Sequence, residues 1–278
     1  MKISISKILL ALFVCGCSSS QQADQLATLS QKQVIFKDAT GRELTLGDLS
    51  KADGQFEWEL RESSGTPIPD RAKQRHQAGR KSGAAGNYQQ AIVAFKEAST
   101  LAPSWAYPIY DLAYTYLLTG ADDQALEAYE AVDRMEPRGF FTSKTAVWSL
   151  AREKSGDLPP GTYRKYLEIE SAQNDAIKLK LAEAIVAKAP RYAPAWKEIA
   201  IISEKLEGRL AAFESGLAAA PDADTHGCLI VNKTALLDEQ GNRNEAVKLL
   251  GELTLNPRST LGTITLAKMT LSLMHNRK

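Results

Sequence analysis

Cysteine and histidine are scarce in this chain of 278 residues, with three of each, and His76, His226 and His275 lie far apart along it. A metal centre needs three or four converging ligands, and a Ser/His/Asp triad needs a positioned imidazole, so few arrangements of either kind can assemble. Neither sign of charge dominates: 34 Lys and Arg face 33 Asp and Glu, a formal net charge of +1. This balance supplies no electrostatic footprint for a phosphate backbone, and nucleic acid is not an expected partner. The apolar run Ile8 to Cys15 is far short of the roughly 20 residues that span a bilayer. The chain also lacks a Gly-x-Ser-x-Gly elbow, a His-Glu-x-x-His helix, a phosphate-binding glycine loop and a Gly-x-Gly-x-x-Gly turn. The expectation is therefore a protein without catalytic residues, metal ion or cofactor, and not an enzyme.

What is present is an ordinary globular composition, 44% hydrophobic and 24% charged, with enough apolar material for one or two cores. Met1, Lys2 and Lys7 form a short basic region before the apolar run, the pattern of a targeting segment. The run ends in Val14-Cys15-Gly16-Cys17, which resembles the lipobox of bacterial lipoproteins, with Cys15 in place of the usual small residue. The resemblance implies a signal peptide over residues 1–16 and an acylated Cys17. Ser18 after the cysteine then implies sorting to the periplasmic face of the outer membrane. Several acyl chains anchor stably, because each buried methylene contributes about 0.8 kcal/mol and one chain alone is marginal. A cleaved secretory peptide without lipid is the alternative. Residues 17–32 open with Ser18-Ser19-Ser20-Gln21-Gln22, a polar leash. With Cys15 removed and Cys17 acylated, Cys228 has no partner for an internal disulfide, and it is expected as a buried small apolar side chain.

Residues 33–61 read as a small antiparallel hairpin or three-stranded patch. Val34-Ile35-Phe36 precedes the turn Asp38-Ala39-Thr40-Gly41, Leu44 and Leu46 alternate with polar neighbours, and Phe56, Trp58 and Leu60 alternate with Glu57, Glu59 and Arg61. A linker follows over 62–70, rich in Ser, Gly and Pro.

From residue 71 to 278 the pattern becomes helical with a fixed period. Gly86, Ala91, Phe95, Ala98 and Pro103 recur 34 residues later as Gly120, Ala125, Tyr129, Val132 and Pro137. Small, aromatic and proline positions in this order and at this period resemble the tetratricopeptide repeat (TPR), two antiparallel helices per unit. The alanines mark a close helix crossing, the aromatics fill the gap to the next unit, and the prolines end the second helix. A third unit is split by an insertion near 156–173, in which Gly156-Asp157-Leu158-Pro159-Pro160-Gly161 breaks the pattern and Thr162–Ser171 adds a helix. Its own second helix is expected at Asp175–Lys188. Trp196, Phe213 and Pro221 mark a fourth unit, Leu236, Gly241, Ala246 and Pro257 a fifth, and Leu261–His275 a terminal helix. The fold class expected is mainly α, a TPR-like α-α superhelix of about five helix pairs plus a capping helix, with the small N-terminal β-hairpin patch.

The TPR resemblance also implies a binding groove lined by the first helix of each unit. The matching positions are Lys73, His76 and Arg80; Tyr107, Tyr110 and Tyr114; and Phe141, Lys144 and Trp148, each set spaced i, i+3, i+7 on one helical face. Basic groups beside aromatics suit a peptide with acidic and apolar anchors. The Lys and Asn pattern of carboxylate-clamping TPR families is not kept. The alternative is that Tyr110, Tyr114 and Trp148 pack between helices while Lys73 and Arg80 form a solvated face. Asp222-Ala223-Asp224-Thr225-His226-Gly227-Cys228 gathers carboxylate, imidazole and thiol, and reads as a turn and helix cap with Asp224 or Thr225 as the capping acceptor.

The functional expectation is an envelope-anchored adapter or scaffold. It would bind an envelope protein or peptide in its concave groove and meet the membrane through lipid on Cys17. A periplasmic small-ligand or glycan binder, or an enzyme, with a pocket near the strand patch and the third-unit insertion is the rival reading. A homo-oligomeric scaffold is a third.

Overall fold

The computed structural model describes residues 32–38, 40–43, 45, 57–62 and 68–275. The signal peptide, Cys17, the leash, Leu44, Leu46, Phe56 and most of the linker lie outside the described residues. The strands and the helices over Ile68–Thr270 belong to separate compact units.

In the smaller unit, β1 (Lys32–Lys37) pairs antiparallel with β2 (Glu57–Glu62), with Val34 opposite Leu60 and Phe36 opposite Trp58. A single bridge joins Lys37 to Glu43 where a further strand was expected. Asp38 makes the turn: its Oδ1 accepts from the amides of Thr40 and Arg42 at 2.9 and 3.1 Å. These bonds, led by those from the Thr40 hydroxyl and the Arg42 guanidinium, hold its carboxyl down at about 2.

The larger unit is built of helix pairs. α1 (Asp70–Ala84) packs on α2 (Tyr88–Leu101) and α3 (Ala106–Leu118) on α4 (Asp122–Met135). Gly86 and Gly120 take the same left-handed conformation, φ 77° and 76°, in the tight turn between the helices of each pair. A Cβ is strained there, so the repeat keeps glycine. Ala91 and Ala125 are fully buried at the crossings, and Phe95 and Tyr129 are buried with them. Both rings pack back onto the first helix of their own pair. Phe95 lies over Gly79, and Tyr129 lies 5.6 Å from Tyr110 edge to face.

Past α5 (Ser143–Ser155) the pairing departs from the expected split unit. α6 (Thr162–Ser171) and α7 (Asp175–Lys188) have the expected bounds, but they pack against each other as a pair of their own. α5 is a single extra helix lying on α4. It steers α6 through Glu153, whose carboxylate accepts the amides of Gly161 and Tyr163, each at 2.6 Å. An anion at a helix N-terminus satisfies donors that the helix leaves open. Burial holds the Glu153 carboxyl above its usual range despite these bonds. α8 (Ala193–Ile202) with α9 (Leu206–Ala218), and α10 (Ala223–Glu239) with α11 (Arg243–Leu255), complete the pairs before α12 (Leu261–His275). Cys228 is buried in α10. Among the described residues no helix is long and apolar enough to cross a membrane.

A lysine is among the polar groups buried inside this packing. Lys197 of α8, 5% exposed, donates to the Tyr166 hydroxyl at 2.8 Å and pairs with Glu198 at 2.9 Å, while Tyr166 donates to Glu198 at 3.1 Å. The closed triangle satisfies a charge that would otherwise be costly to bury. Lys197→Ala, which leaves a buried carboxylate without its cation, is expected to cost about 3–5 kcal/mol in urea denaturation. A loss below about 1 kcal/mol would show that water screens the Glu198 carboxylate in the folded chain. Gly79→Ala tests the repeat packing, because its new methyl would sit 2.5 Å from the Phe95 ring. A loss of about 1–3 kcal/mol is expected, and unchanged stability would mean that the ring slides aside freely.

Candidate functional site

Aromatic side chains gather where α1, α3 and the connection before α5 meet. Trp105, at the start of α3, lies 4.8 Å from the His76 ring and 6.2 Å from Tyr107. Tyr107 meets Phe140 and Phe141 edge to face at 5.2 and 5.3 Å, and Tyr110 meets the same two rings at 5.7 and 5.2 Å. The Tyr110 hydroxyl bonds the Thr142 hydroxyl at 2.8 Å. Tyr107 and Phe140 are buried, whereas Trp105, Tyr110 and Phe141 keep part of their surface open. Edge-to-face contacts at these separations fix the rings as a rigid set, the low-entropy surface that binding sites favour.

Phe141 is not on a helix, contrary to the position carried over for it. α5 begins at Ser143, and Phe141 precedes it with φ 48°, in the left-handed region that bulky side chains avoid. In that conformation its ring packs on Tyr107, Tyr110 and Phe140. Strain of order 1–3 kcal/mol persists where surrounding contacts enforce it, and such residues cluster at binding sites.

The remaining positions divide. His76 is buried, its Nε2 2.7 Å from Asp111 Oδ2, and Arg80 stands 3.9 Å from the same oxygen. Lys73 is exposed and 3.3 Å from Asp70, and Tyr114 is half-buried. Lys144 and Trp148 do not join the aromatic face. Lys144 turns back to Asp133 at 2.6 Å, and Trp148 donates its indole N–H to the Ala220 carbonyl at 3.1 Å with Arg152 over its ring. Lys144 and Trp148 are therefore spent on contacts within the array, and the open face belongs to the first two pairs and the connection at 140–141, Phe141 included. Trp105, Phe140 and Asp111 were missed. The Trp-x-Tyr and Phe-Phe pairings flanking two predicted helices were the only signal for them.

Trp148 belongs to a seam that joins parts of the array distant in sequence. The Thr145 hydroxyl donates to Asp222 Oδ1 at 3.1 Å, and the Leu261 amide donates to the Arg138 carbonyl at 2.9 Å. A Cβ on Gly139 would stand 3.0 Å from Thr260, so the α4–α5 connection lies directly on the residues before α12. Asp222, not Asp224 or Thr225, caps α10, accepting from both of their amides at 3.0 and 3.1 Å. His226 is exposed. Among the described residues no three His, Cys, Asp or Glu side chains converge as metal ligands would.

The family model for the tetratricopeptide repeat matches residues 84–149, which span α2, α3, α4 and part of α5. No curated protein matches the chain. Similar solved structures include MamA, from residue 41 to its end, of Desulfovibrio magneticus RS-1. It is 16% identical, with 73% of this chain and 98% of that one covered, at a TM-score of 0.33. TTC0263, a thermophilic TPR protein of Thermus thermophilus, is 19% identical over 72% and 98%, at 0.30. PilW, a type IV pilus biogenesis factor, is 15% identical over 70% and 97%, at 0.31. Residues 84–149 thus carry the tetratricopeptide repeat, and the helix pairs of the larger unit form a TPR-like array.

Proposed function

We propose that this protein is an interaction module that captures a segment of another envelope protein on the aromatic face of α1, α3 and the 140–141 connection. The observation that carries this reading is Phe141, a bulky residue held in a left-handed conformation so that its ring completes a partly open aromatic surface. Strained residues held by their surroundings cluster at binding sites, and a rigid apolar ring set suits an anchor. α1 carries Arg71, Lys73, Arg75, Arg80 and Lys81 against the acid Asp70, with Arg75 paired to Glu97 of α2 and Arg80 facing Asp111 of α3. A segment with an aromatic or aliphatic anchor flanked by acidic residues fits this arrangement, because complementary charge speeds encounter and fixes register.

The second part of the reading is an anchor. Lys2, Lys7, the apolar run to Cys15 and the sequence Val14-Cys15-Gly16-Cys17 support acylation of Cys17 and tethering to the outer membrane. The Ser/Gln-rich residues that follow would hold the array clear of the lipid.

Two measurements test these parts separately. Crosslinked capture from membranes with the double variant Tyr110→Ala, Arg80→Glu is expected to recover at least about tenfold less of a specific envelope partner, in line with loss of a hot spot. Equal recovery by the variant, with its helical circular dichroism intact, would remove the aromatic face from the binding surface. Metabolic labelling with a fatty-acid analogue is expected to mark the wild type and not Cys17→Ala. Equal labelling of the two would end the anchor reading.

A further inference from the structure

The seam between α5, α10 and the start of α12 contains a carboxylate that neither the packing nor the aromatic face accounts for. Asp222 is fully engaged: besides the bonds to its Oδ1, its Oδ2 accepts the Thr225 hydroxyl at 2.6 Å. Asp224 is not. Its Oδ2 is closed off from solvent and has no hydrogen-bond partner. Its Oδ1 lies 3.6 Å from where a Cβ on Gly139 would stand. Thr260, beside it, donates its hydroxyl to Thr263 at 3.0 Å.

The charged groups that act on Asp224 are Asp222 from its own helix, Lys144 from α5 and Lys197 from α8. Both lysines are already held, Lys144 by Asp133 at 2.6 Å and Lys197 by Glu198 at 2.9 Å. Farther out, the Arg138 and His226 side chains are exposed, and Lys268 of α12 feels the charge of Arg138. After burial itself, the strongest influence on Asp224 is the negative charge of Asp222, ahead of the Thr260 hydroxyl and the two lysines. A buried carboxyl in this position is stable as an acid, which can donate to a neighbouring oxygen, and costly as an anion without a partner.

The place of this group gives it leverage. Gly139 lies close against Thr260, the carbonyl before it is bonded to the Leu261 amide, and the Asp224 carboxyl stands beside Thr260 at the same point. The next two residues are Phe140 and Phe141. We propose that Asp224 is a proton-operated latch on the α4–α5 connection: as an acid it closes the seam, and as an anion beside Asp222 it loosens the connection that carries Phe140 and Phe141. This goes beyond the binding reading and holds whether or not the aromatic face takes a partner.

The direction of the pH dependence follows from linkage. Burial first, then the Asp222 charge, push the Asp224 carboxyl from an ordinary 3.8 up to about 7 in the closed form, against the opposing pull of the Thr260 hydroxyl and the two lysines. The closed form therefore keeps its proton over a range of pH in which the open form has lost it. Closure is tightest below the ordinary value and weakens by about tenfold per pH unit as pH rises toward the raised one. Above that value it levels off.

Hydrogen exchange of the full chain, read by mass spectrometry from about pH 5 to about pH 9 and corrected for intrinsic rates, tests the latch. Protection of the Leu261 amide and of residues 139–145 is expected to fall about a hundredfold between about pH 5 and 7 and then hold steady, while α2 shows no such slope. Asp224→Asn is expected to keep the acid-side protection throughout. A flat profile in the wild type, or the wild-type slope retained in the Asn variant, overturns the proposal. If that variant fails to fold, the carboxyl carbon resonance of Asp224 in the wild type decides the matter. Exchange at residues 139–145 that follows a carboxyl midpoint well above the ordinary range upholds the latch, and a midpoint within that range, or exchange that does not follow it, ends it.

Discussion

Helices in this array approach one another where a residue has almost no side chain, and the rest of the structure depends on that constraint. Gly79 gives the Phe95 ring its place between α1 and α2, and Ala91 and Ala125 lie fully buried at the next crossings. Gly216 lets Leu229 of α10 close on α9, and Gly227 admits Thr263 of α12. Each small residue faces a larger one, so the surfaces interlock at the density of a crystal-like interior rather than touching at ridges alone. The tilt of each pair follows from these contacts, and with it the direction in which α1 and α3 present their aromatic residues. The aromatic face is therefore a secondary product of packing decided by methyl groups and hydrogens.

An ideal repeat array is quasi-one-dimensional, each unit touching only its neighbours. This one is not. α5 reaches α10 through Thr145, and Trp148 reaches the Ala220 carbonyl just before it, while the connection ahead of α5 reaches the residues before α12. The extra helix makes this contact, because α5 has no antiparallel partner of its own and presents Ser143, Thr145 and Ser149, all buried, to the rest of the array. Their small polar side chains bond Asp222 and Tyr192 in two cases. The same seam positions the Phe140–Phe141 connection, so the aromatic face rests on residues from both ends of the array.

The local elements were legible in the amino-acid sequence and the long-range ones were not. The recurrence of Gly86, Ala91, Phe95, Ala98 and Pro103 after 34 residues reports a packing rule repeated at a fixed interval, and the structure shows the same turn and crossings in both copies. The bounds of α6, α7 and α12 could be read because Pro, Gly and Asn punctuate them. The pairing of α6 with α7 could not, since helix periodicity says which face is apolar and not what covers it. Of the candidate site, His76, Tyr107 and Tyr110 lie together as the repeat positions imply. Phe141 reaches them from a connection for which helical spacing has no meaning, and Lys144 and Trp148 turn away toward contacts many residues distant. Asp222 took the capping role expected of its neighbours because it stands just outside the helix, where its side chain reaches the free amides.

The seam has a consequence for how such a chain can change over time. An open solenoid gains or loses a repeat at little cost, because the two new neighbours meet through the same surfaces as the old. Here the hydrogen bonds from Thr145 to Asp222 and from Leu261 to Arg138 fix the count of helices between them. Duplication or deletion of a pair between α5 and α10 would move one side of the seam by a whole unit and leave both sets of donors and acceptors facing the wrong residues. Variation by repeat number is thereby confined to the stretches outside the seam, and the segment it encloses is inherited as a block.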